Sequence, residues 1–378
     1  MSDNKSTLGV LGGGQLGLMF TEAAQKMGYR VIVLEPDPDS PAGALADEHI
    51  QLGYDDEDGL RQLGLECAAV TVEFENVPAD SIDYLQKFCK AFPSSECFRL
   101  TQNRIVEKTM ILDHGLSTAP FQVIESADDL EKVSTAMKFP AILKISELGY
   151  DGKGQAVVMV PDDLQAAYEH LDNAQCILEE KIDLAKEISV VLGRSQKGEV
   201  SCFPIAENLH KKGVLHTSTV PADIDDELRQ EAQEAAITLA NGLDFVGIMA
   251  VEFFITKKGR LLVNEIAPRT HNSGHYTQDA TATSQFEQQV RIISDQELGS
   301  TKLKSPVVMV NLLGNLWKKR VPSWDMLEVD RNIHLHLYNK AEARRGRKMG
   351  HFNYLGSDLE KLQEKALDMF AKLGGNVD

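Results

Sequence analysis

The chain has 378 residues, 43% hydrophobic and 25% charged, and its 57 acidic side chains against 39 basic ones leave a formal net charge of −18. Such a chain buries a sizeable core and is expected to form two or three domains, and its charge argues against nucleic acid or an anionic membrane surface as the main partner. Five scattered cysteines (Cys67, Cys89, Cys97, Cys176, Cys202) show no C-x-x-C pair or metal spacing and fit a reducing, cytoplasmic compartment, and neither a signal peptide nor an apolar run of about 18 residues is found.

Leu8–Leu11 reads as a strand feeding Gly12-Gly-Gly-Gln-Leu-Gly17, with a helix over Leu18–Met27 and a second strand over Tyr29–Glu35. The loop fits G-x-G-x-x-G, and Glu35 stands where a dinucleotide fold places its ribose-binding acid. Taken alone, the loop leaves three readings open: a dinucleotide, another anionic ligand, or tight strand–helix packing. Ala68–Val72 is a third buried strand running into Glu73-Phe-Glu-Asn-Val-Pro78, at the end where parallel sheets bind ligands. Glu73 and Asn76 are thus either substrate contacts or caps of a helix starting near Pro78. The first domain is expected to end near Phe98, before a polar helix over Thr101–Lys108.

Ala141–Lys144 is a strand carrying a lysine, followed by the loop Leu148–Gln155 and a strand over Ala156–Val160. Glycines let backbone amides approach phosphate, and Lys144 and Lys153 supply charge. The spacing is not that of a Walker loop and no helix follows, which excludes a P-loop; a plain flexible hairpin is the alternative. Cys176–Leu192 reads as two strands around a polar linker, where backbone groups at Lys181 and Ile182 suit an adenine edge and Glu187 a ribose. His210, by itself, reads as structural. A helix is expected from about Asp225 to Asn241.

Val246–Thr256 and Arg260–Ala267 are apolar, β-rich runs separated by Lys257-Lys258-Gly259, the pattern of an antiparallel hairpin. A turn centred between Lys258 and Gly259 sets Glu252 directly opposite Glu265, with Cβ atoms roughly 4.5–5.5 Å apart. Two such carboxylates repel, and a hard divalent cation, typically Mg²⁺ holding nucleotide phosphates, offsets the repulsion. The alternative is a solvated edge with both acids in water. Pro268–Tyr276 then packs donors and small residues into a loop suited to an anion. Tyr338–His351 gathers Lys340, Arg344, Arg345, Arg347 and Lys348 around Gly346 and Gly350, and in so acidic a chain it reads as a phosphate handle rather than a solvated basic face. Asp358–Leu373 is a terminal helix that belongs to a core or to a contact.

Taken together, these features resemble the ATP-grasp superfamily. GGGQLG, EFENV, GYDGKGQ, NEIAPRTHNSGHYT and GRKMGH, in that order, are more specific. They resemble the N5-carboxyaminoimidazole ribonucleotide synthetase family from about Thr7 to at least Tyr354. The resemblance implies an α/β chain with a Rossmann-like domain at 1–100, an ATP-grasp region at 101–298 with a mobile lid near 117–187, and a small β-rich domain at 299–378. It implies ATP- and bicarbonate-dependent carboxylation of 5-aminoimidazole ribonucleotide, through carboxyphosphate, in purine biosynthesis. The cofactors would be ATP and Mg²⁺, the partners small molecules only, and the enzyme a cytoplasmic homodimer.

For ATP, the resemblance points to Arg104, Lys144, the loop Gly149, Tyr150, Asp151, Gly152, Lys153, Gly154 and Gln155, the hinge Glu179, Glu180, Lys181 and Ile182, and Glu187. It adds His210, against the reading of that residue by itself. Glu252 and Glu265 match the Mg²⁺ ligands, with Asn264 beside them. For the ribonucleotide it points to Gln15, Leu16, Glu73, Asn76, Tyr150, Asp151, Arg269, His271 and Asn272, and the phosphate is assigned to Lys340, Arg347 and Lys348. In catalysis Lys144 would neutralise the transferred phosphoryl, Arg269 hold bicarbonate or carboxyphosphate, and Asp151 or His271 move the amine proton. Two positions depart from the family: Asn339, often glycine, tolerates the left-handed region, whereas Arg345, often proline, is expected to loosen its loop. Other readings are a nicotinamide-dependent oxidoreductase built on Gly12–Gly17, another ATP-grasp ligase with a different acceptor, and a non-enzymatic nucleotide-binding regulator.

Overall fold

The structure, a computed structural model, describes residues 7–147, 154–318 and 321–375. Strands β1 (Thr7–Leu11), β2 (Arg30–Leu34), β3 (Glu48–Ile50), β4 (Ala69–Val72) and β5 (Lys90–Phe92) form a parallel sheet in the order β3-β2-β1-β4-β5. Helices cover both faces, which is why β1 and β4 are buried along their whole length, Thr7 and Thr71 included, rather than alternating with exposed residues. Strand order reverses between β1 and β4, and their carboxyl ends open a crevice there. The helix expected at Leu18–Met27 begins earlier, at Gln15, inside the glycine loop. The polar helix expected over Thr101–Lys108 is two helices: Ser95–Gln102 runs across position 100, and Asn103, in extended backbone, caps a second helix at Arg104–Asp113.

Strands β6 (Phe121–Ile124), β7 (Ala141–Ile145), β8 (Gln155–Val158) and β9 (Cys176–Glu180) make a separate antiparallel sheet in the order β6-β9-β7-β8. Leu130, Val133, Leu164 and Ala167 from two short helices pack against Ala141 and Leu143. Alternation then turns Ile142 and Lys144 to the opposite face, toward the cleft described below.

The remaining strands are β10 (Leu184–Arg194), β11 (Val200–Cys202), β12 (Ala206–Lys211), β13 (Val214–Val220), β14 (Gly247–Thr256), β15 (Leu261–Ala267), β16 (Val307–Leu313), β17 (Ile333–Leu337) and β18 (Lys348–Leu355). They form one nine-stranded antiparallel sheet in the order β15-β14-β10-β12-β13-β16-β18-β17, with β11 paired to the end of β10. The carboxyl-terminal strands thus continue this sheet. Helix Asp226–Gly242 lays Ala232, Ala235, Ala236 and Leu239, at helical spacing, on Val190, Leu192, Val251 and Phe253. The terminal helix, Leu359–Lys372, belongs to a core: Leu362, Ala366 and Phe370 pack on Val308, Val310 and Phe352. Helix Gln285–Ile293 joins the two large sheets. Phe286 and Val290 pack on helix Gln15–Lys26, while Gln289 accepts from the Ile248 amide at 2.6 Å and donates to Thr71 Oγ1 at 2.8 Å. No helix among the described residues is long and apolar enough to cross a membrane.

Candidate active site

β14 and β15 close through Lys257-Lys258-Gly259, with Gly259 at φ +74° and the Thr256 amide donating to the Arg260 carbonyl at 3.0 Å. This three-residue turn pairs Phe253 with Val263, Phe254 with Leu262 and Ile255 with Leu261, a register that on its own would bring Asn264 opposite Glu252. Glu252 nevertheless pairs with Glu265, because Asn264 is the extra residue of a β-bulge. The expected pairing holds, but a bulge produces it rather than a turn centred between Lys258 and Gly259. The bulge also breaks alternation, so the consecutive residues Asn264 and Glu265 both line the cleft that Glu252 lines.

That cleft, of about 780 Å³, opens where the three sheets meet. Its walls bring together Gln15, Leu16, Glu73, Asn76, Arg104, Lys144, Gln155, Glu187, His210, Arg269, His271, Asn272, Lys340, Arg347 and Lys348 with the hairpin residues. Gly149, Tyr150, Asp151, Gly152 and Lys153 lie outside the described residues. Gly154 sits at φ +69°, its carbonyl accepting from the Ile145 amide at 2.9 Å. Glu179, Glu180, Lys181 and Ile182 do not line the cleft. Glu179 is buried and accepts from Lys144 Nζ at 2.7 Å, and the Lys181 amide is already used by the Pro140 carbonyl at 3.1 Å.

The first glycine loop is organised by two carboxylates. Glu35 accepts from the Gly13 amide at 2.7 Å, the Asp37 amide at 3.0 Å and the Tyr54 hydroxyl. Its carboxylate is occupied by the protein itself rather than offered to a ribose. Glu73 accepts from the Gly14 amide at 3.0 Å and the Leu16 amide at 3.1 Å. It therefore caps helix Gln15–Lys26, not the helix at Pro78, and fills the anion position that a pyrophosphate takes in a dinucleotide fold. A Cβ on Gly13 would lie 2.5 Å from Glu35 Cγ and one on Gly14 2.3 Å from Glu73 Oε1, so these glycines serve the approach of protein carboxylates. The nicotinamide reading loses both of its anchors.

On the other side, Lys340 Nζ donates to Gln15 Oε1 and lies 5.6 Å from the centre of the Tyr338 ring. Asn339 adopts φ +53° and Gly346 φ +79°, so the tight turn survives the departure at Asn339. Arg345 is exposed, but the loop around it is anchored: the Gly346 amide donates to Asn315 Oδ1 at 3.1 Å and the Gly314 amide to the Arg347 carbonyl at 2.8 Å. Arg269 pairs with Glu75 and donates to the Thr270 carbonyl at 2.9 Å, leaving a buried Nε with no protein partner. His271 Nδ1 meets Ser273 Oγ at 2.8 Å, and its Nε2 lies 3.4 Å from Glu252 Oε1. Asn272 exchanges amide hydrogen bonds with Asn311 at 3.1 and 2.8 Å. Glu187 and His210, on paired strands, bond to each other.

Three known domain families match the chain in order: a ribonucleotide synthetase preATP-grasp domain at residues 5–102, an ATP-grasp domain at 109–286, and a phosphoribosylaminoimidazole carboxylase C-terminal domain at 307–365. The N5-carboxyaminoimidazole ribonucleotide synthase of Bacillus subtilis is 41% identical over 374 residues, 99% of this chain and 98% of that protein. The chain belongs to the N5-carboxyaminoimidazole ribonucleotide synthase family. Among solved structures, the Staphylococcus aureus synthetase complexed with ADP matches at 37% identity and TM-score 0.90, covering 97% of each chain. The Aspergillus clavatus synthase in complex with ADP and 5-aminoimidazole ribonucleotide matches at 29% identity and TM-score 0.91, covering 98% of this chain and 99% of that one. The expected fold class, ATP-grasp with a Rossmann-like preceding domain and a carboxyl-terminal β-rich part, is the one these matches carry.

Within this synthase-family cleft the two hairpin acids are electrostatically unequal. Burial, and then the charge of Glu265, push the Glu252 carboxyl above its ordinary value. Burial also acts upward on Glu265, but Arg104, whose Nη1 lies 3.3 Å away, and Lys144 outweigh it and hold that carboxyl below its ordinary value. Among the described residues no group of three or more His, Cys, Asp or Glu side chains could hold a metal. Two facing carboxylates suit Mg²⁺, which takes one or two carboxylates and completes its shell with phosphate oxygens and water. Burial and the Arg269 charge keep His271 neutral by holding its pKa well below 6.5. His210 moves the other way: burial lowers it, but the hydrogen bond to Glu187 and the charge of Glu252 raise it overall.

Several residues that shape the synthase-family site were not singled out from sequence. Glu75 stands inside the quoted EFENV motif, yet only the structure shows that it pairs with Arg269. Gln285, fully buried, accepts from the His271 amide at 2.9 Å and donates to the His271 carbonyl at 2.8 Å, fixing the loop from 14 residues away; no local pattern announces it. Glu107, at the cleft wall, and Lys108, outside it, are both buried beside the hairpin. The spacing of Arg104 and Lys108, four apart on one helical face, was the available signal.

Proposed function

We propose that the chain is an ATP-dependent carbon–nitrogen ligase that carboxylates 5-aminoimidazole ribonucleotide with bicarbonate, giving N5-carboxyaminoimidazole ribonucleotide in purine biosynthesis. The observation that carries this reading is one cleft that holds a lysine-bearing strand and paired carboxylates together with a basic loop tied to the first glycine loop. ATP would lie along Arg104, Lys144, the loop Gly149–Gln155, the hinge Glu179–Ile182, Glu187 and His210. The ribonucleotide would lie against Gln15, Leu16, Glu73, Asn76, Tyr150, Asp151 and Asn272, its phosphate on Lys340, Arg347 and Lys348. Glu252 and Glu265 would hold Mg²⁺, with Asn264 beside them; the ion supplies charge neutralisation at the nucleotide phosphates when bound.

A bicarbonate oxygen attacks the γ-phosphorus, the bond to ADP breaks, and carboxyphosphate forms. Lys144 offsets charge on the transferred phosphoryl, and Arg269, with its guanidinium anchored by Glu75, holds the carboxyphosphate. The exocyclic amine then attacks the carboxyl carbon and phosphate leaves. The amine proton passes to Asp151 or His271, the imidazole of His271 being unprotonated and so able to accept it. A cytoplasmic homodimer completes the proposal, supported by five free cysteines for the compartment and tested by sedimentation for the assembly.

ADP release is measured with ATP, Mg²⁺, bicarbonate and aminoimidazole ribonucleotide, each omitted singly. Full release is expected only with all four. Release that ignores the ribonucleotide, or that another amine or carboxylate acceptor sustains in its place, overturns the assignment.

A further inference from the structure

β15 is the outermost strand of the nine-stranded sheet, so the backbone groups on its free edge need partners outside the ladder. Residues Glu107–Thr118 supply them. The Val263 amide donates to the Ser117 carbonyl at 2.8 Å, Thr118 Oγ1 donates to the Val263 carbonyl at 2.8 Å, and Glu107 Oε1 accepts from the Ile266 amide at 2.6 Å. Between these, Lys108 Nζ donates to the Asn264 carbonyl at 2.7 Å. Asn264 is the bulged residue, whose backbone the strand ladder leaves unpaired.

Lys108 is 1% exposed and does not line the cleft. Burying an ammonium is unfavourable, and an apolar side chain of similar length would fill the space more cheaply. What accounts for the charge is the set of atoms it holds. Besides Asn264, Lys108 Nζ donates to Thr118 Oγ1 at 2.8 Å and stands 3.7 Å from Glu179 Oε1, a buried oxygen with no hydrogen-bond partner. The other oxygen of Glu179 takes Lys144 Nζ at 2.7 Å.

We propose that Lys108 is a positioning residue for the metal site: by binding the Asn264 carbonyl it holds the bulge that sets Glu265 opposite Glu252, and through Glu179 it holds Lys144 over the same cleft. Losing that bond frees the bulge to relax, and the alternation of an unbulged strand would not keep Asn264 and Glu265 on one face. The inference rests on the reading of Glu252 and Glu265 as metal ligands, and its test separates the two.

Mn²⁺ binding to the ADP-bound protein is titrated by electron paramagnetic resonance for wild type, Glu265→Gln, Lys108→Met and Thr118→Val, alongside metal-free ADP affinity and thermal unfolding. Lys108→Met is expected to unfold cooperatively and to bind Mn²⁺ about tenfold more weakly or worse, the range for residues behind metal ligands, with a smaller change in metal-free ADP affinity. Thr118→Val, which removes one acceptor of Lys108 together with the hydroxyl's own bond to the Val263 carbonyl and touches no charge, is expected to weaken Mn²⁺ by about threefold and carries the test if Lys108→Met does not fold. Wild-type Mn²⁺ affinity in Lys108→Met, or in Thr118→Val where that variant is the test, overturns the proposal. So does an equal loss of Mn²⁺ and metal-free ADP binding, which marks collapse of the cleft. Wild-type Mn²⁺ affinity in Glu265→Gln overturns the metal reading instead.

Discussion

The ammonium of Lys340 donates a hydrogen bond to the side-chain oxygen of Gln15, joining the loop between β17 and β18 to the first glycine loop across 325 residues of chain. A ribonucleotide phosphate held there would depend on this cation, whereas ATP on the far side would not. Lys340→Ala is expected to raise the KM for the ribonucleotide by about tenfold or more, the scale of one lost charge-assisted contact, and to leave the KM for ATP nearly unchanged. Equal effects on both KM values would count against the phosphate handle.

Glu265→Gln removes one of two facing carboxylates and keeps the shape of the side chain. Metal-dependent ATP turnover is expected to fall by about a hundredfold or more, with cooperative unfolding retained, the lost ion pair with Arg104 being offset in part by relief of like-charge repulsion with Glu252. Steady-state kinetics at saturating Mg²⁺ checks it, and turnover at the wild-type rate would sink the metal assignment.

His216 is 4% exposed, packs edge-on against Phe370 at 4.8 Å, and has no partner at Nε2. Burial pulls its pKa from 6.5 down to about 4. Below pH 6.5 the unfolded chain takes up a proton that the folded chain refuses until about pH 4, so stability present above that window is lost as pH falls through it. His271, His275 and His351, buried and held well below 6.5, act in the same direction. His216→Phe is expected to lose less stability than wild type on acidification, by up to about 3 kcal/mol near pH 4. Parallel unfolding profiles for the two proteins would rule this out.

Gly13→Ala would place a methyl 2.5 Å from Glu35 Cγ and 2.6 Å from Ser40 Oγ. Overpacking of this kind is expected to cost about 1–3 kcal/mol, read as a lower urea midpoint at unchanged slope. With Glu35 and Glu73 both engaged by the loop, titration with NAD(H) is expected to show no saturable binding. An unshifted midpoint, or a saturable NAD(H) signal, would contradict this account of the loop.

Much of the architecture was legible in the chain because it is written in local periodicity. Short runs rich in apolar residues marked β1 and β4 as strands, and the helix expected from about Asp225 to Asn241 is found at Asp226–Gly242. Lys144 could be placed on a strand, and Glu252 and Glu265 on facing strands, from spacing alone. The order of the glycine loops, the hairpin and the basic tail carried the family resemblance that the matched domains bear out.

What the residues could not announce are the contacts between parts far apart in sequence. The glycine loop was compatible with a dinucleotide until Glu73, 57 residues beyond Leu16, was seen to occupy its amides. The acids faced each other on the expected hairpin, yet their register depends on a bulge whose carbonyl is held by Lys108, 156 residues away. Spacing and alternation determine which side chains share a face, because those follow from backbone geometry within one element. Which faces then meet, and which buried charge finds which carbonyl, depends on strand order and sheet packing, and the tertiary structure alone decided that.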